Sequence, residues 1–131
     1  MPGRERRHAV GLSGALRDLF QRGAAEFDSG HFFAAHELWE QLWKASAEPQ
    51  RSVLQGLIQL AAAALHAQRG NAHGARLLCE KAKGRLSAAR TALPGVDTKR
   101  VVAEVEVFLD AKARGTTPAC RPRIGSTLRR R

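Results

Sequence analysis

Cysteine is scarce in this 131-residue chain. The two present, Cys79 and Cys120, stand far apart, with no CxxC pair and no Cys/His cluster. That spacing excludes the usual structural-zinc patterns and a redox dithiol. A reduced, cytoplasmic setting is the expectation. Long apolar runs are absent too. The longest, Leu57–Ala67, is broken by Gln59 and His66. It is too short and too polar to span a bilayer, so no membrane partner is expected. Arg4, Arg6, Arg7 and His8 are followed by no apolar core of the signal-peptide kind. Alternation of Val, Ile and Thr is missing, and no segment repeats at a fixed period.

Acidic residues are absent from the C-terminal stretch. Residues 114–131 hold six Arg, no Asp or Glu and no aromatic residue. Residues 1–11 hold three Arg and one Glu, and residues 12–113 hold 13 Lys and Arg against 11 Asp and Glu. Most of the net charge of +10 therefore sits at the two ends. The expected organisation is a basic N-terminal tail (1–11), a helical domain (12–113) and an arginine-rich C-terminal tail (114–131). Such a tail can bind nucleic acid non-specifically through phosphates. Without aromatics it offers no stacking platform for single strands. A solubilising extension is the plainer explanation.

What is present is helix-forming. Ala, Leu, Arg, Glu and Gln dominate the middle of the chain. A chain of this length buries roughly two thirds of its unfolded surface, enough for a core without disulfides or metal. Spacing and stop signals predict five helices, near 12–28, 31–46, 48–69, 71–92 and 98–113. Ser29-Gly30, Gly70 and Pro94-Gly95 punctuate them, and Asn71 and either Asp97 or Thr98 serve as N-caps. Short connections make sequential helices antiparallel neighbours. The expected fold is all-α: a single compact bundle with helices two and three at its centre.

Helix two carries the densest signal, His31-Phe32-Phe33-Ala34-Ala35-His36-Glu37-Leu38-Trp39-Glu40-Gln41-Leu42-Trp43. On a wheel at about 100° per residue, Phe32, Phe33, Trp39 and Trp43 surround His36 and Glu40, and Glu37 falls at the border. A carboxylate placed among buried aromatics needs donors, a cation or a proton. Helix three offers matching groups, because Gln55, Gln59 and His66 share one stripe. Small residues, Ser52, Gly56, Ala62 and Ala63, flank that stripe. They would let the two helices approach closely or leave a small pocket. The rest of helix three is apolar nearly all round, so it is expected to be buried on most sides.

The run Phe27-Asp28-Ser29-Gly30-His31-Phe32-Phe33-Ala34-Ala35-His36-Glu37-Leu38-Trp39-Glu40-Gln41-Leu42-Trp43 resembles the signature of the domain-of-unknown-function 309 family. So does Leu54-Gln55-Gly56-Leu57-Ile58-Gln59-Leu60-Ala61, with His66 and Gly70-Asn71 after it. The resemblance covers roughly residues 20–90. It implies a compact helical fold of bacterial and archaeal proteins with no assigned activity. By motif it points at His36, Glu37, Glu40, Trp43, Gln55, Gln59 and His66. Ala34 departs from the acidic residue expected there, which weakens any site built on a carboxylate at that position.

Three uses of the stripe remain open. It can be a buried hydrogen-bond network that fixes helix register. It can bind a small molecule, or at most one divalent metal held by His36, Glu40 and His66, since facing helices of bundles hold ions through inward His and Glu. It can be catalytic, a hydrolase-type site with Glu40 as general base and His36 or His66 as its partner. No nucleophile stands out, because Ser52 sits at a helix start. The aromatic turns of helix two could close either a core or a homo-oligomer interface.

Overall fold

A computed structural model describes residues 14–88, 93, 95–118 and 121–125. The basic stretch 1–11, Arg90, Pro94 and Cys120 lie outside the described residues. Five α-helices account for most of the rest: α1 (Gly14–Asp28), α2 (Phe32–Lys44), α3 (Gln50–Gln68), α4 (Ala72–Ala88) and α5 (Thr98–Ala113). The bundle is all-α, and the sequence-based bounds agree to within a few residues.

The helix ends follow local chemistry. Gly30 and Gly70 both have φ of 83°. These left-handed positions close α1 and α3 where a side chain would be strained. Asn71 Oδ1 accepts from the Gly74 amide at 2.9 Å, and Asp97 Oδ1 accepts from the Arg100 amide at 3.1 Å. Each satisfies an amide that the first turn leaves without a helical partner.

Pairwise contacts fix the topology. Phe20 meets Trp39 and Phe27 meets Phe32, so α1 and α2 run antiparallel. Arg51 lies over Trp43, and Gln68 Nε2 donates to the Gly30 carbonyl at 3.0 Å, so α2 and α3 do too. Gly56 abuts Leu86 across α3 and α4. Lys83 pairs with Glu106 at 2.9 Å across α4 and α5.

The centre of the bundle is α3 alone. Eleven of its 19 residues are buried, against four of 13 in α2, and it packs on α2, α4 and α5. The expectation that α2 shares the centre is corrected. That helix lies flank-on, with one face against α1. There Phe20, Phe27, Phe32, Trp39 and Phe108 form a chain of ring contacts 5.1–5.8 Å apart. Each such pair contributes about 0.5–1.5 kcal/mol beyond simple burial. The Trp39 indole N–H donates to the Phe20 carbonyl at 3.1 Å, so this face leaves its one polar group satisfied.

The expected C-terminal tail does not simply leave the domain at residue 113. Pro122 is buried and Ile124 is fully buried. Arg121 reaches the Asp28 carbonyl at 3.4 Å. At least one of the tail arginines is thus engaged with the bundle.

Candidate functional site

Two observations corner the polar stripe of α3. On its wheel, Arg51 lies about 80° to one side of Gln59 and Gly56 about 60° to the other. Arg51 stacks on Trp43 of α2, and Gly56 faces Leu86 of α4, where an added Cβ would stand 2.6 Å from Leu86 Cγ. Gln55, Gln59 and His66 fall between these contacts, and all three are half-buried. The stripe therefore lies in the gap between the α2 contact and the α4 contact, called the slit below. It is the strip along which an otherwise buried helix approaches the surface. Gly56, one of the small residues flanking the stripe, serves the packing of α3 on α4 rather than an approach of α2 to α3.

The register of α2 against α3 can be read from its two ends. Trp43 lies level with Arg51, and Gly30 lies level with Gln68. With a rise of about 1.5 Å per residue in both helices, His36 lies level with residues 58–62 of α3. Gln59 is the polar residue there. His36 Nδ1 and Gln59 Oε1 are both buried, and neither has a hydrogen-bond partner among the described residues. The His36 ring is also parallel to Phe33, at 6.4 Å between centroids and 4° between planes. Phe33 is 53% exposed, so this stack forms a wall of the slit open to solvent.

The remaining predicted residues are placed elsewhere or occupied. Glu40 is exposed, which overturns its expected burial among aromatics. The cause is Phe33. Periodicity counted it as core, which drew the apparent centre of the face toward His36. The residues of α2 that are buried are Phe32, Ala35, Trp39 and Leu42. Their mean direction lies about 120° from Glu40. Glu37 is likewise exposed. Both carboxylates stand in water and need no buried counterion. His66 Nδ1 accepts from the Asn71 side-chain amide at 3.1 Å, which ties the end of α3 to the residue that caps α4. Trp43 is covered by the Arg51 guanidinium, 3.8 Å from its ring centre. The set His36, Glu40 and His66 does not gather. Among the described residues, no group of three or more His, Cys, Asp or Glu is placed to hold a metal. His31 and His73 are exposed, and His31 pairs with Glu26 at 2.8 Å.

A concavity of about 190 Å³ lies between α4 and α5, lined in part by Arg76, Cys79, Glu80, Glu106 and Asp110. Sequence spacing did not flag it. Two of its carboxylates are paired, Glu106 with Lys83 and Asp110 with Arg114. Burial, helped by Glu106 and Glu80, pushes the Cys79 thiol up to about 11. A thiol so placed stays protonated and is a poor nucleophile at neutral pH. The concavity has room, but the unmet polar demand lies at His36 and Gln59.

Residues 20–78 match the model of a family described as a domain of unknown function (DUF309). The resemblance carried by the two motifs thus holds. The matched segment includes α2, α3 and the polar residues of the slit, but ends before the contacts at 121–125. No curated protein and no solved structure matches the chain.

Proposed function

We propose that the DUF309 segment is a small-molecule-binding module whose site is the slit at His36 and Gln59. The observation that carries this is the pair of buried, partnerless polar atoms at one level of two facing helices. Leaving a buried polar group unsatisfied costs about 1–3 kcal/mol. Folded proteins accept that mainly where something else completes the bond. An imidazole nitrogen can donate or accept according to its tautomer, and a glutamine amide does both. The complementary ligand is small and neutral, with a donor and an acceptor on one edge. The parallel Phe33 and His36 rings favour a planar one, which stacks well on such a wall. Glu37 and Glu40 lie in solvent and act at most as a negative rim that disfavours anions.

Nicotinamide, a planar carboxamide on a heteroaromatic ring, is a suitable probe. The expected result is a shift of the Gln59 side-chain amide and His36 ring resonances in NMR at millimolar probe, lost in Gln59→Met. No shift, or an equal response in Gln59→Met, would remove the slit as a site for this class of ligand.

A further inference from the structure

The Asp28 carboxylate lies in the family-like signature, yet it takes no part in the slit. It faces the other end of the chain. Its Oδ1 accepts from the Ile124 amide at 2.6 Å and its Oδ2 from the Gly125 amide at 3.0 Å. Two successive backbone N–H groups held by one ionised carboxylate form a charge-assisted fork, stronger than neutral bonds. Glu104 Oε1 of α5 accepts from the Arg123 amide at 2.9 Å. The segment is therefore held by its backbone from α1 on one side and α5 on the other.

The side chains add selectivity. Ile124 is fully buried and Pro122 is buried, while Arg123 points outward. A Cβ on Gly125 would stand 2.7 Å from Asp28 Oδ2, so any side chain there must push the carboxylate out of its fork. Arg121 lies along Gly30, where a Cβ would stand 2.7 Å from its Cδ, and its guanidinium reaches the Asp28 carbonyl. Arg121, the buried Pro122 and Ile124, and Gly125 beside the carboxylate are thus the positions at which the cleft meets the segment.

We infer that the cleft between Asp28, Gly30 and Glu104 is a peptide-docking site for Arg-Pro-Arg-Ile-Gly segments, and that its resident ligand is the chain's own residues 121–125. Only seven residues separate the end of α5 from Arg121, so the tethered segment competes at an effective concentration on the order of millimolar. A peptide arriving from outside binds only when that segment is displaced.

The test uses the full chain. In wild type, the Ile124 and Gly125 amides should be protected from hydrogen exchange, and Gly125→Ala should release them. A labelled peptide of residues 121–127 should bind the Gly125→Ala chain at least tenfold more tightly than the wild-type chain. Its own Gly125→Ala version should bind more weakly, and Asp28→Asn added to the Gly125→Ala chain should abolish binding of the unaltered peptide. Ile124→Asp is a second way to free the cleft and should behave like Gly125→Ala. Unprotected amides in wild type, no binding to either freed chain, or equal binding of the two peptides would each overturn the inference.

Discussion

The interface α2 makes with α1 and the one it makes with α3 treat polar atoms in opposite ways. On the α1 side, Trp39 is fully buried in a cluster of phenylalanines, and its single N–H finds the Phe20 carbonyl. On the α3 side, His36 and Gln59 bury polar atoms and satisfy neither. The first arrangement is what stability alone selects. On the function proposed above, the second is kept for something other than stability. The contrast separates residues that hold α2 in place from residues that α2 holds in place.

The comparison breaks first at Trp39. Removing a fully buried aromatic in contact with two other rings should cost about 3–5 kcal/mol, read as a large fall in the urea midpoint of Trp39→Ala. A loss under about 1 kcal/mol would mean that the α1 face is not the structural one. Cys79 gives the next effect. Its thiol is held up to about 11 from an ordinary value of 9.0. Above pH 9 the unfolded chain loses this proton while the folded chain keeps it, so stability should fall between pH 9 and 11. The contribution is at most about 1.4 kcal/mol per pH step. Cys79→Ala should flatten that part of the pH–stability curve. A smaller change is expected at Arg51, whose stacking on Trp43 is partly exposed. Arg51→Ala should lower stability by about 0.5–1 kcal/mol in thermal unfolding. Smallest is Glu40→Gln. An exposed carboxylate with no structural duty should change stability by less than about 0.5 kcal/mol. A large loss there would restore the buried-glutamate picture.

The fold was legible in the sequence because its signals are local. Gly30, Gly70, Asn71 and Asp97 mark helix ends through backbone geometry and caps that depend on a few neighbouring residues. The greasy circumference of α3 declared its central place in the same way. The site was legible only in part. A helical wheel ranks positions but does not say which of two adjacent aromatics turns inward. Phe32 and Phe33 compete for one core direction, and packing of Phe32 between Phe27 and Phe108 decides it. Once Phe33 turns out, Glu40 follows it into solvent. Ala35 and Leu42, both fully buried, carried the correct direction in the sequence. The docking of residues 121–125 was not legible at all. It joins Asp28 to Ile124 across nearly the whole chain, through backbone amides that no side-chain pattern advertises.

The central claim is that His36 and Gln59 form a site kept at the expense of stability. Equilibrium unfolding of Gln59→Met against wild type, with no ligand added, tests it most directly. Methionine fills a similar volume and removes the orphaned amide. A gain of about 1 kcal/mol, or roughly 3–5 °C in Tm for a chain of this size, is the predicted result. A loss of similar size would contradict it, because the amide would then be satisfied within the fold and the slit would be part of the scaffold.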